Sequence, residues 1–190
     1  MNIIFEGIDA SGKTTLLNET LKVLIEKGEK AEYIREIGNT PLQLLLNDML
    51  SKDLFFQSKE KFNTSIYETF LLAAGFFYKQ ESLRNNTETI NLFDRDIITL
   101  ISYQKNIIFQ EYGEKCKKFL ENLEECFLFD LKKIDLVVYV SIDKEETFNR
   151  ILARDNVILN EEQKKFLLDS KHQMEKTLSS LIEKSNIPVL

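Results

Sequence analysis

Gly7-Ile8-Asp9-Ala10-Ser11-Gly12-Lys13-Thr14 gathers two glycines, a lysine and a hydroxyl into one short run. The spacing is G-x-x-x-x-G-K-[ST], a phosphate-binding loop. Each residue type has a task. Glycine reaches backbone angles that other residues resist, so successive N–H groups can converge on an anion. The helix that follows adds its positive N-terminal end. Lys13 would reach the outer phosphates of a nucleotide, and the Thr14 hydroxyl would ligate Mg²⁺. The residues expected to cradle the nucleotide are Gly7, Ile8, Asp9, Ala10, Ser11, Gly12, Lys13, Thr14 and Thr15. A glycine turn with an incidental lysine is the competing reading. It does not explain why the run stands between a strand pattern and a helix pattern.

A second constellation is Asn91-Leu92-Phe93-Asp94, an apolar strand tip ending in a carboxylate, followed by Arg95. Beside a phosphate loop, a strand-end aspartate holds the shell of a magnesium ion. Asp94 could instead cap the helix that begins near Ile97, and the loop's presence favours the metal reading. Arginine is scarce: Arg35, Arg84, Arg95, Arg150 and Arg154 are the five among 25 basic residues. Arginines kept against such a bias suit the forked recognition of phosphate and carboxylate. Drift in composition would leave them without a shared role.

These residues need a scaffold. Asn2–Glu6 reads as a buried strand, and Lys13–Lys27 as a helix with Leu16, Leu17, Leu21, Leu24 and Ile25 on one side and Gly28 at its C-cap. Ala31–Arg35 reads as a second strand. Thr40-Pro41 opens a helix, with threonine as N-cap and proline first. Residues 64–84 form a long apolar helix. Glu88–Asp94 is a strand, and residues 97–110 and 114–128 are helical. Leu136–Ser141 is the clearest strand. Glu145–Arg154 and 161–184 are helices, and Ile187–Leu190 is a last strand. Strands alternating with helices give an α/β fold with a mostly parallel sheet. The expectation is three layers, five strands and a small helical lid at about 150–161, in one domain spanning 1–190.

Composition limits the alternatives. The chain has 190 residues, a net charge of −6 and 43% hydrophobic residues, as ordinary globular domains do. Two cysteines, Cys116 and Cys126, cannot build a disulfide scaffold or a four-cysteine zinc site. One histidine, His172, excludes a multi-histidine metal site. The acidic balance argues against a protein that coats nucleic acid, yet a local pocket can still be basic. No stretch is long and apolar enough to span a membrane, and the N-terminus lacks the pattern of a signal peptide. The expected location is cytoplasmic.

The local words resemble one family. Phe5-Glu6-Gly7-Ile8-Asp9-Ala10-Ser11-Gly12-Lys13-Thr14-Thr15 is similar to the phosphate loop of the thymidylate kinase family, F-E-G-x-D-G-x-G-K-[ST]-T. Arg35-Glu36-Ile37-Gly38-Asn39-Thr40 resembles R-E-P-G-G-T. Asp94-Arg95-Asp96 through Gln104 resembles D-R-Y-x-x-S-x-x-A-Y-Q. Leu136–Asp143 with Arg150 and Arg154 resembles the strand and lid that follow. The resemblance implies a P-loop nucleoside monophosphate kinase that uses ATP and Mg²⁺ to convert dTMP to dTDP. It implies catalytic roles for Lys13, Asp9, Arg95, Arg150 and Arg154, and a metal shell from Thr14 and Asp94. Substrate contacts would come from Asp9, Arg35, Glu36, Leu72, Phe76, Arg95, Leu100 and Tyr103. The loop carries Ala10 and Ser11 where some members place an arginine, so the catalytic arginine would come from the lid. A solvated helix face is the plainer reading of Arg150 and Arg154, and a core position that of Tyr103. The resemblance also implies a homodimer. Phe70, Leu71, Leu72, Phe76 and Phe77 offer an apolar face for core or interface.

Departures fall where the family reads the base. Its L-L-F-A-A-D-R stretch corresponds to Phe70-Leu71-Leu72-Ala73-Ala74-Gly75-Phe76, which puts Leu72 at the stacking aromatic and Phe76 at the base-bonding arginine. Leu100 offers no hydrogen bond. Ile37 and Asn39 replace a proline and a glycine, and Asp96 replaces a tyrosine. A pocket that lacks its donor loses discrimination. Two alternatives follow: a deoxynucleoside kinase with Glu36 as general base, or a kinase for another nucleotide. A further alternative is a nucleotide-binding paralogue without catalysis.

Overall fold

The computed structural model describes residues 1–36, 38, 41–52, 65–83, 88–130, 134–184 and 187–190. Thr40, Ile37, Asn39 and Arg84, singled out above, lie outside the described residues. The elements are β1 (Asn2–Glu6), α1 (Lys13–Glu26), β2 (Ala31–Ile34), α2 (Pro41–Lys52), α3 (Ser65–Leu83), β3 (Ile90–Asp94) and α4 (Ile97–Tyr112). After a 3-10 turn at Gly113–Cys116 come α5 (Lys117–Asp130), β4 (Leu136–Tyr139), α6 (Lys144–Asp155) and α7 (Glu161–Lys184).

The sheet is parallel, in the order β2-β3-β1-β4. Side chains alternate between its faces, as the pleat requires. Ile4, Phe93 and Val137 point into the main core, which is closed by Phe76, Ile98, Ile101, Phe166 and Met174 of α3, α4 and α7. Ile3, Phe5 and Leu92 point the other way, against Leu17 and Leu21 of α1. Helices therefore cover both faces, and the α/β layering expected from the sequence is present. β1 lies between β3 and β4, so the loop after β1 opens at the point where the connections diverge to opposite sides. That is where ligands bind in open parallel sheets.

Among the described residues four strands form the sheet rather than five. Residues 187–190 make only a bridge, Val137 with Val189. Val137 N–H donates to the Pro188 carbonyl at 3.0 Å, Tyr139 N–H to Leu190 at 2.8 Å, and Leu190 N–H to Val137 at 2.9 Å. Pro188 has no N–H to offer, which shortens the ladder at this edge. The 114–128 helix is also interrupted: Gly113 closes α4 and a 3-10 turn precedes α5.

One buried group ties strand to helix. Glu6 ends β1 with no exposed surface. Its Oε1 accepts from the amides of Asp96 at 3.0 Å and Thr99 at 3.3 Å, and its Oε2 bonds the Thr99 hydroxyl. These contacts satisfy donors at the N-terminus of α4, and Asp96 Oδ1 accepts from Ile97 N–H at 2.7 Å. Burial pushes the Glu6 carboxyl up to about 8, against those hydrogen bonds; Asp96 adds to the rise and Arg95 opposes it.

The consequence for stability has a definite sign. The folded state keeps a proton that the unfolded chain releases near 4.5. The contribution of Glu6 is full below about 4.5 and is lost as pH rises to about 8. Urea midpoints of the wild type should fall across that window, and those of Glu6→Gln should vary less. Parallel pH profiles for the two proteins would contradict this.

Candidate active site

The loop between β1 and α1 has the geometry of an anion cradle. A Cβ on Gly7 would stand 2.5 Å from the Val140 carbonyl, so no side chain fits there. Gly12 has φ +96 and serves as N-cap of α1 without a side-chain cap, leaving first-turn N–H groups for an external acceptor. Ala10 has φ 59, a left-handed conformation that costs an L-residue roughly 1–2 kcal/mol. A pocket of about 560 Å³ opens beside the loop, lined by Ala10, Gly12, Lys13, Thr14, Thr15, Arg150, Ala153 and Arg154. Arg150 and Arg154 thus border the phosphate loop. A Cβ on Gly12 would meet the Arg150 guanidinium at 3.3 Å. Each arginine is also paired: Arg150 Nε with Glu146 at 2.6 Å, Arg154 with both oxygens of Asp155 at 2.7 Å.

Lys13 is 7% exposed, and its Nζ donates to the Ile8 carbonyl at 3.4 Å. Burial first, then the nearby Arg95, brings its ammonium down to about 8, against the pull of Asp9, Glu36 and Asp94. At the tip of β3, Asp94 Oδ2 accepts from the Thr14 hydroxyl at 2.8 Å and from the Tyr33 hydroxyl at 2.9 Å. Asp94 Oδ1 is buried with no hydrogen-bond partner among the described residues. A hydroxyl beside an unused carboxylate oxygen is a hard-oxygen donor set that fits Mg²⁺ completed by water and phosphate. No cluster of three or more His, Cys, Asp or Glu suited to a metal exists among the described residues.

The third group surrounds Arg95. Its backbone has φ 60, and its guanidinium is enclosed. NH2 lies 2.9 Å from Asp9 Oδ1, and NH1 donates to both Glu36 oxygens at 3.3 Å. The Tyr103 hydroxyl donates to Asp9 Oδ2 at 2.9 Å, and the Arg95 guanidinium lies 5.6 Å from the Tyr103 ring centre. Burial works against the Asp9 carboxylate, but Arg95 and then Lys13 outweigh it and hold the group at about 2. Burial disfavours the Arg95 cation, and Asp9 and Glu36 more than restore it. Burial and Asp9 push the Tyr103 phenol well up, so it remains a donor. Among the described residues neither Arg95 Nε nor NH2 has a hydrogen-bond partner, NH2 facing Asp9 as an ion pair.

The remaining expected substrate residues are placed differently. Arg35 is exposed at the end of β2, and its charge bears on Tyr33. Phe76 and Leu100, 6% and 2% exposed, are enclosed in the main core, and Leu72 packs against it half-buried. As packed here, Phe76 and Leu100 present little surface to a ligand. The apolar face of α3 is divided: Phe76 points inward and Phe70 outward at 54% exposure, edge-on to Phe119. His172 is exposed, Cys116 is buried and Cys126 is exposed. Tyr33, Glu6 and Lys79 belong to the site's frame and went unassigned in the sequence. For Lys79 a signal existed: α3 is uncharged up to it apart from Glu68, and both charged residues are buried.

A β1–loop–α1 phosphate cradle at the divergence of a parallel sheet, with an aspartate at the neighbouring strand tip, defines a P-loop nucleotide-binding protein. The family model described as thymidylate kinase matches residues 5–190. The chain belongs to the thymidylate kinase family. A thymidylate kinase of Thermosipho melanesiensis is 33% identical over 156 residues, covering 67% of this chain and 78% of that protein. One of Buchnera aphidicola subsp. Baizongia pistaciae is 26% identical over 179 residues, covering 88% and 76%. A probable thymidylate kinase of Methanobrevibacter smithii is 27% identical over 157 residues, covering 82% and 71%. Among the described residues no helix is long and apolar enough to cross a membrane.

The Asp9–Arg95 pair can be tested apart from activity. Asp9→Asn leaves a buried cation with half its compensation and should cost about 3 kcal/mol of unfolding free energy. Combining it with Arg95→Met should cost less than the sum of the single changes in denaturant melts. Additive losses would show that the pair is not coupled.

Proposed function

We propose that the chain transfers the γ-phosphoryl group of ATP to a deoxynucleoside monophosphate, with dTMP the first candidate. Family membership supports this, as do the relatives named thymidylate kinase. The observation that carries it is the adjacency of two cationic sites: Lys13 in the phosphate loop, and Arg95 held by Asp9 and Glu36 beside it. Such a pair can align two anionic reactants, and phosphoryl transfer depends chiefly on alignment and charge screening.

Donor phosphate oxygens would replace the long Lys13–Ile8 contact and take the free first-turn N–H groups of α1. Arg95 would clamp the acceptor phosphate through Nε and NH2, the two donors of one edge of its guanidinium, a bidentate match. Asp9 fixes the guanidinium plane, and Tyr103 fixes Asp9. Arg150 and Arg154, at the rim of the donor pocket, would exchange Glu146 and Asp155 for the oxygens of the transferring group. Residues 150–161 serve as the lid in this reading. Thr14 and Asp94 would hold Mg²⁺, which supplies charge neutralisation between the donor phosphates. Tyr33 orients Asp94 for that task. The exposed Tyr67, Phe70 and Tyr78 on α3 support a homodimer, which sedimentation would report as about twice 22.3 kDa.

One contact favours a second reading. Both Glu36 oxygens lie 3.3 Å from Arg95 NH1, which would also suit a carboxylate serving as base to a nucleoside 5′-hydroxyl.

A coupled ADP-release assay over deoxynucleosides and their monophosphates separates the readings. Turnover of dTMP is expected. Turnover of nucleosides alone, lost in Glu36→Gln, would replace this proposal with the second reading. Nucleotide binding without turnover of any acceptor would favour a non-catalytic protein. Lys13→Ala should lower kcat/KM at least 100-fold, since it removes a charge from the transition state. Arg84→Ala, outside the motifs, should stay within twofold of wild type; equal losses in the two variants would contradict the assignment.

A further inference from the structure

Three cations are buried among the described residues: Lys13, Arg95 and Lys79. Lys13 and Arg95 belong to the phosphate sites. Lys79, on the inward face of α3, is 6% exposed and lies outside every motif discussed above. A buried ammonium is costly unless its surroundings compensate it, so its contacts are informative. Its Nζ donates to the backbone carbonyl of Arg95 at 3.2 Å. It also stands 4.7 Å from the Phe76 ring centre and 5.4 Å from that of Phe93, positions in which aromatic faces favour a cation.

The carbonyl it holds belongs to a strained residue. Arg95 has φ 60, a left-handed conformation that a side chain disfavours and that persists only where its surroundings over-determine it. Three contacts do so here. Arg95 N–H donates to the Phe5 carbonyl of β1 at 3.0 Å. The next amide, Asp96 N–H, donates to Glu6 Oε1 at 3.0 Å. Lys79 takes the carbonyl between them. β1 holds this turn from one side, and Lys79 is its tie to α3.

We propose that Lys79 is a positioning residue: by binding the Arg95 carbonyl it locks the left-handed turn that aims the guanidinium at Asp9, Glu36 and the acceptor phosphate. This deepens the proposed function and rests on Arg95 as the acceptor clamp. It also gives the apolar residue at Phe76 a purpose, as one wall of the ammonium's aromatic enclosure.

The test joins kinetics to hydrogen exchange in full-length Lys79→Met and Lys79→Arg, with Lys79→Gln standing in if the methionine variant does not fold. With dTMP as acceptor, Lys79→Met should raise the acceptor KM at least tenfold while the ATP KM stays within twofold. The Arg95 and Asp96 amides should lose protection at least tenfold while those of β1 and β3 keep theirs. Lys79→Arg, still a cationic donor, should restore both. Uniform loss of protection across the sheet, parallel rises of both KM values, or an arginine variant no better than methionine would overturn the proposal. If the wild type turns over no monophosphate, the proposed function fails, and the exchange experiment still decides whether Lys79 holds the turn.

Discussion

Arg95 is a guanidinium with little water around it, and the site is arranged to balance that charge. Asp9 and Glu36 supply the anions, at 2.9 Å and 3.3 Å. A buried cation without them would carry an uncompensated desolvation penalty of several kcal/mol, roughly. The balance fixes more than one side chain. Asp9 sits inside the phosphate loop, so the charge that holds Arg95 also belongs to the donor site. Tyr103 completes the Asp9 carboxylate from α4, and Glu36 closes the group from the end of β2. The phosphate loop, the end of β2, the tip of β3 and α4 are joined through one guanidinium and its two ion pairs.

That junction has a consequence for two anionic reactants. Like-charged phosphates repel, and they approach only where cations screen them. Lys13 and Arg95 repel each other in turn: burial first, and then Arg95, lowers the ammonium of Lys13. Asp9 acts on both cations and moderates them. The site therefore holds enough positive charge for two phosphates and enough negative charge to fold without them. The net charge of −6 conceals this, because the cations are gathered at one place.

Much of the frame was legible in the chain. Apolar runs marked β1, β3 and β4, helical spacing marked α1 and α7, and the glycine–lysine spacing marked the loop. What was not legible depends on tertiary neighbours. Whether Ile187–Leu190 completes a strand depends on how many ladder bonds Pro188 leaves, which periodicity does not express. Tyr33 reads as an ordinary strand residue until β2 pairs with β3 and places its hydroxyl on Asp94. Leu100 occupies a motif position, yet burial of nearly every residue at the start of α4 puts it in the core. Glu6 at the end of β1 and Lys79 within α3 are charges whose partners the sequence does not name, and only the packed structure shows each serving the same turn. The positive φ of Ala10 falls where the family commonly has glycine, so there the sequence held a clue that its composition hid.

The most direct measurement of the central claim, that donor and acceptor anion sites adjoin, is the affinity of a bisubstrate ligand. Adenosine and thymidine joined through five phosphates would span both sites at once. Calorimetry should find one such ligand per chain, binding at least 100-fold more tightly than ATP or dTMP alone, with the advantage lost in Arg95→Met. An affinity no better than that of ATP, unaffected by Arg95→Met, would contradict the existence of a second anion site beside the loop.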